Sequence, residues 1–227
     1  MNNGSRPCRS ETPDRRLQAV IRFAERCRYE SEHTRQVARL ALALFDALQT
    51  AHGLAKEDRF LLRCAAILHD IGWLEGKKGH HKTALGLILN EAGLPFDDRE
   101  RRLVGCIARY HRKALPNGRH AHFGSLSPAD QERVRGLAGI LRVADGLDRT
   151  HRDVVRSLDC DVTPSQVIIR CTTDGSAADE TLAAADKGRL LEDVLDRELV
   201  FRMSRTLPAS ARADPGGAES RRESAQE

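Results

Sequence analysis

The sequence predicts a mostly α-helical fold with a small α+β unit at its C-terminal end. Apolar residues recur at helical spacing from Arg15 to about Leu147. Hydrophobic residues make up 40% of the 227-residue chain but aromatics only 4%, which requires a core of Leu, Ala, Val and Ile. After Asp153 the pattern shortens to the period of strands. On this basis the chain divides into a leader (1–14), a helical domain (15–155), an α+β appendage (156–204) and a tail (205–227). Leader and tail are polar or rich in small, Pro and Gly residues, and are expected to stay disordered.

Each element has its own signal. Arg15 to Cys27 reads as a first helix. Glu32 to Ala51 carries the apolar stripe Val37, Leu40, Ala41, Leu44, Phe45 and Leu48, and Gly53 stops it. Lys56 to His69 presents Phe60, Leu61, Ala65 and Leu68, with Gly72 beyond its end. His80 to Glu91 is closed by Gly93 and Pro95. Asp97 and Glu100 form a capping-box pattern that opens a fifth helix, running to Tyr110. Lys113 to Leu126 holds Pro116, Asn117, Gly118 and Gly124 and reads as a loop. Ser127-Pro128 then opens a sixth helix through about Leu147. Leu158–Val162 and Gln166–Thr172 are strands around a Thr163-Pro164-Ser165 turn, Thr181–Asp196 is helix, and Glu198–Met203 is a third strand.

Composition narrows the function classes. A formal net charge of +4 suits anionic small molecules but is too weak to indicate nucleic acid. No apolar run is long enough to span a bilayer, and the N-terminus has no apolar signal core, so a cytoplasmic protein without a membrane partner is expected. None of Cys8, Cys27, Cys64, Cys106, Cys160 and Cys171 forms a CxxC pair, which argues against thiolate zinc ribbons and dithiol redox chemistry. A homodimer is compatible with the sequence.

The polar residues on the apolar stripes carry the chemistry. His33 lies one turn before Val37, and His69 follows Leu62 and Ala65 or Ala66. His81 precedes Leu85 and Ile88, His111 follows Val104, Ile107 and Ala108, and Asp145 follows Ala138 and Leu141. A lone histidine on such a face is usually a hydrogen-bonded core residue. Five helices each delivering an inward imidazole or carboxylate favour a shared divalent cation, which would also compensate a buried Asp145. Helix neighbours point about 100° apart, so adjacent His69 and Asp70 can face one ion only near a helix end, and Gly72 supplies that break. His80 competes with His81; the spacing to Ile88-Leu89 favours His81. His120 and His122 in a Gly/Pro loop, and His52 before Gly53, are expected to be uninvolved. His151 is near the site only if the sixth helix continues. Trp73 is expected to pack near the site entrance.

His69-Asp70-Ile71-Gly72, after Ala65-Ala66-Ile67-Leu68, resembles the signature of the HD superfamily of metal-dependent phosphohydrolases. The resemblance implies an HD-type helical bundle in which His33, His69, Asp70 and Asp145 hold a metal. His69 and Asp70 would be central to catalysis, and His81 and His111 would serve a second ion. A closer likeness lies in Gly79-His80-His81-Lys82, in Ala108 through Pro116 and in Arg142 through Arg149. These segments resemble the helical C-terminal region of the exopolyphosphatase/guanosine pentaphosphate phosphatase (Ppx/GppA) family, over about Ser31 to Met203. That family's actin-like phosphatase domains, with their phosphate-binding glycine loops, have no counterpart among these residues. The exopolyphosphatase activity that belongs to them is therefore not carried over.

The expected cofactor is one or two divalent ions, with Mn, Fe, Zn, Co, Ni and Mg all compatible with imidazole and carboxylate ligands. The expected partner is a phosphorylated small molecule or polyphosphate. Lys82, Arg109, Arg112, Lys113 and Arg149 flank the ligand positions and would hold phosphate charge. Two functions follow from the same residues. One is a phosphohydrolase using metal-activated water. The other is a non-catalytic module binding polyphosphate or guanosine polyphosphate, or regulating a partner.

Overall fold

The structure is a computed structural model that describes residues 12–76 and 78–205. It is mostly helical, with one small three-stranded sheet near the C-terminal end. The helices are α1 (Pro13–Arg26), α2 (Ser31–Ala47), α3 (Gln49–His52), α4 (Asp58–Leu68), α5 (His80–Asn90), α6 (Asp98–Arg109), α7 (Ala121–Gly124) and α8 (Pro128–Gly146). A 3-10 turn (Ile71–Glu75) separates α4 from α5. Strands β1 (Val155–Val162) and β2 (Gln166–Thr173), helix α9 (Ala178–Leu195) and strand β3 (Glu198–Arg205) complete the order.

Local signals set most of these boundaries. Asp97 accepts from the backbone N–H groups of Arg99 and Glu100, and Glu100 reaches back to the Asp97 N–H, closing the capping box of α6. Ser127 Oγ accepts from Asp130 N with Pro128 in the first turn of α8. Gly53 ends α3 in the left-handed conformation at φ +61°.

Three expectations are corrected. Pro13 and Asp14 open α1 rather than ending a leader, because proline suits a first helical turn. The stretch expected as one loop from Lys113 to Leu126 contains the single turn α7, pinned by Phe123, whose ring is buried against Tyr110. Arg205 closes β3 rather than opening a tail. The expected leader at 1–11 and tail at 206–227 lie outside the described residues.

Helix α8 is the axis of the bundle. From Val134 to Gly146 it is buried on nearly every side and touches α2, α4, α6 and α9. Gly139 and Gly146 allow the contact with α9: a Cβ on Gly146 would lie 2.6 Å from Ala184 Cα, and one on Gly139 would lie 3.1 Å from Leu191 Cα. The sheet has order β1-β2-β3, with β1 and β2 antiparallel and β2 and β3 parallel. A parallel neighbour needs a crossover, and α9 supplies it while packing on α8. The appendage thereby shares the apolar core of the bundle through Leu190, Leu191, Val167 and Ile169. None of the helices is long and apolar enough to cross a membrane among the described residues.

Candidate metal centre

Helix ends from both directions meet at one end of the bundle. His69 and Asp70 follow α4, His111 follows α6 and Asp145 lies in the last turn of α8; His33 lies in the first turn of α2 and His80 opens α5. Three helix C-termini therefore contribute negative partial charge here, which favours a cation.

The geometry falls into two sets that share Asp70. Each residue of His33, His69 and Asp70 offers one ligating atom within 4.8 Å of the others, and so does each residue of Asp70, His80 and His111. Asp70 Oδ1 lies 3.1 Å from His80 Nε2 and 3.4 Å from His111 Nε2, while Asp70 Oδ2 lies 3.5 Å from His69 Nε2. Asp145 Oδ1 lies 3.5 Å from His33 Nε2. His33, His69, His80 and His111 are each at most 3% exposed.

The hydrogen bonds on the far side of each ring decide its proton. A carbonyl can only accept, so His69 Nδ1 donates to Ala66 O at 2.7 Å, and His111 Nδ1 donates to Ala108 O at 2.7 Å. His33 Nδ1 donates to Asp148 Oδ2 at 2.8 Å. In the neutral ring each Nε2 is then a lone pair aimed at the centre. His80 Nε2 lies between Asp70 Oδ1 at 3.1 Å and Arg112 Nη1 at 3.3 Å, donating to the carboxylate in one tautomer and accepting from the guanidinium in the other. In their neutral form the lone pairs of His33, His69 and His111 face carboxylate oxygens. His33 Nε2, His69 Nε2 and Asp70 Oδ1 are buried without a hydrogen-bond partner. Buried unsatisfied acceptors are costly unless positive charge lies between them.

The electrostatics follow the same layout. Burial works against ionising Asp70 and Asp145. The surrounding charges outweigh it and hold both carboxyls below the usual range: His69, His80 and His111 for Asp70, Lys187 and His33 foremost for Asp145. Burial also opposes charge on His33, yet the carboxylates of Asp145 and Asp148 overcome it and push the ring up to about 9. His111, with burial dominant and His69 beside it, is pushed down to about 3.

An open cavity of about 870 Å³ leads to the cluster. Its wall includes His33, Asp70, His111 and Asp145 on the inside, with Lys78, Arg112, Lys113 and Arg149 among its cations. Trp73 stands at the mouth, 39% exposed and 5.3 Å from the His80 ring.

Two expectations are corrected here. His80, not His81, joins the cluster, because the buried stripe of α5 runs His80, Ala84, Ile88. Gly72 permits that placement: a Cβ there would lie 2.0 Å from His80 O, so the turn after Asp70 can rest on the start of α5. His81 is instead pushed down to about 4, by partial burial and then by Arg109, His80, Arg112 and Lys82. Of the five expected phosphate contacts, Arg112, Lys113 and Arg149 line the main cavity. Lys82 and Arg109 border a separate cavity of about 250 Å³ with Tyr110, His120 and His122.

Sequence reasoning also missed Asp148 as the partner of His33, and Lys187 on Asp145. Asp148 sits one turn after Asp145, a spacing that could have suggested it. Lys187 had no local signal, since only the packing of α9 on α8 brings it in. His151 does approach the site, stacked on His33 at 3.8 Å between ring centroids, with Nδ1 2.9 Å from Glu30 Oε1. His52 bonds only local backbone, Phe45 O and Leu54 N, and so stays outside the site.

A comparison with curated proteins gives no match. The family described as Ppx/GppA phosphatase, domain III, matches residues 16–186. That span takes in every helix end that builds the cluster, together with the first half of α9. The chain therefore belongs to the Ppx/GppA phosphatase domain III family.

Proposed function

We propose that this protein is a metal-dependent phosphohydrolase of the HD type, acting on a phosphate ester, a nucleotide or a related phosphorylated small molecule. One observation carries the reading. The Nε2 atoms of His33, His69, His80 and His111 crowd the carboxylates of Asp70 and Asp145, while Nδ1 of His33, His69 and His111 is engaged on the far side of its ring. Such a donor set fits a divalent cation, and the two groups joined at Asp70 fit one or two ions. A bound divalent cation would acidify a water and polarise a phosphoryl oxygen.

The chain's own residues do the rest. His33, His69, Asp70 and Asp145 would hold the first ion, and Asp70, His80 and His111 a second. Asp148, Ala66 and Ala108 fix the rings that face them, so little reorganisation accompanies binding. Arg112, Lys113 and Arg149, in the same cavity as the cluster, would take the non-reacting phosphate oxygens by charge-assisted hydrogen bonds. Trp73, partly exposed, lines the same cavity.

The test is phosphate release from nucleotides, phosphomonoesters and phosphodiesters by Mn²⁺-loaded protein, with Asp70→Ala alongside. Release by the native chain that Asp70→Ala abolishes supports the reading; equal release by both defeats it. Family membership together with the cation-lined cavity favours one second reading, a module that binds polyphosphate or guanosine polyphosphate without hydrolysis. Binding that survives Asp70→Ala but fails when Arg112 and Lys113 are replaced, with no release by the native chain, would select it.

A further inference from the structure

The ammonium that contacts the His/Asp cluster comes from the appendage rather than from the bundle. Lys187, on α9, donates to Asp145 Oδ2, while the other oxygen of Asp145 faces His33. The lysine side chain is 20% exposed and lines the main cavity together with Arg112, Lys113 and Arg149.

Its backbone is held on three sides. The glycine contacts Gly146 to Ala184 and Gly139 to Leu191 clamp α9 on α8 at positions one turn before and one turn after Lys187. Arg142 is buried in α8. It donates through Nε to Lys187 O at 3.2 Å and through Nη1 to Tyr110 O at 3.0 Å. One guanidinium therefore ties the peptide that carries Lys187 to the peptide preceding His111.

We infer that Lys187 is a phosphate-binding residue of this centre, held on Asp145 until that carboxylate turns to a cation, and then directed at the substrate phosphate. The inference rests on the phosphohydrolase reading. An ammonium and a divalent cation compete for the same carboxylate, and they repel one another once the cation is bound. Lysine can respond without any backbone movement, because its charge rides on a flexible four-carbon stem with rotatable donors. With its backbone clamped, the released ammonium stays within the cavity where Arg112, Lys113 and Arg149 already gather. The appendage would then complete the phosphate site, which explains why α9 is fastened to the helix that bears Asp145.

The experiment is calorimetry on the full chain and on Lys187→Met and Lys187→Arg, with Mn²⁺ first and then inorganic phosphate on the Mn²⁺-loaded protein. Far-UV circular dichroism accompanies each variant. Lys187→Met should bind Mn²⁺ at least as tightly as the native chain, since a competitor is gone. Its phosphate affinity should fall on the order of tenfold, the loss of one charge-assisted hydrogen bond, and Lys187→Arg should recover part of it. Unchanged phosphate affinity in Lys187→Met with normal Mn²⁺ uptake overturns this inference alone. Weaker Mn²⁺ binding in Lys187→Met with phosphate affinity unchanged also overturns it, leaving the lysine a structural partner of Asp145. A native chain that takes up no Mn²⁺ contradicts the metal centre, and this inference with it.

Discussion

Gly72→Ala asks whether a close backbone approach, rather than a flexible glycine, assembles the cluster. Gly72 does not have a positive φ, so alanine is acceptable to the backbone itself. The obstacle is space. The new Cβ would sit 2.0 Å from His80 O and 2.8 Å from Ala84 N, both backbone atoms that cannot rotate away. Restoring an ordinary contact of about 3.4 Å or more needs a separation of more than 1 Å, roughly, between the turn and α5. His80 Nε2 and Asp70 Oδ1, now 3.1 Å apart, are carried by those two elements and would separate with them. Overpacking of this kind costs about 1–3 kcal/mol, which for a chain of this size lowers Tm by roughly 2–12 °C. Thermal unfolding followed by circular dichroism, with Mn²⁺ titration of the same sample, reads both effects. Gly86→Ala in α5 is the control, because a Cβ there meets nothing within 4 Å. It should leave Tm unchanged or raise it slightly. A Gly72→Ala protein with native Tm and native Mn²⁺ affinity would refute the reasoning.

Further outcomes follow from the same geometry. Asp148→Asn removes the carboxylate that orients His33, and should weaken Mn²⁺ binding by about 10–100-fold; calorimetry that finds no change would count against that orientation. His80→Gln should impair Mn²⁺ binding while His81→Gln leaves it intact, and the reverse pattern would restore the assignment read from the sequence. The metal-free protein should also have a two-sided pH profile. His33, raised from 6.5 to about 9, contributes stability that is full below pH 6.5 and lost as pH rises through 9. His111, lowered to about 3, contributes stability present above pH 6.5 and lost as pH falls towards 3. Tm measured across pH should therefore fall on both sides of neutrality, and His33→Gln should flatten the alkaline side only.

The fold was largely legible because its signals are local. The capping box at Asp97, the Ser127-Pro128 start and the switch to strand period after Asp153 each depend on a few neighbouring residues. The site was legible in part for the same reason: His33, His69, His111 and Asp145 lie on stripes that must face inward. The choice between His80 and His81 was not, since two stripes one residue apart both end on Ile88. The Gly72 contact that selects His80 is tertiary. Lys187 was invisible because 42 residues separate it from Asp145, and only α9 returning onto α8 joins them. Lys82 and Arg109 are close to His81 in sequence, yet border a different cavity, so proximity along the chain was a poor guide to phosphate contact.

The central claim is that the Nε2 atoms of four histidines and the carboxylates of Asp70 and Asp145 converge to hold divalent metal. Its most direct measurement is the metal content of the full chain purified without chelator and loaded with Mn²⁺, determined by elemental mass spectrometry after gel filtration. The account predicts one to two ions per chain in the native protein, reduced to a trace in Asp70→Ala, which removes the residue common to both sets. Metal-free native protein, or equal metal in native and Asp70→Ala, would contradict it.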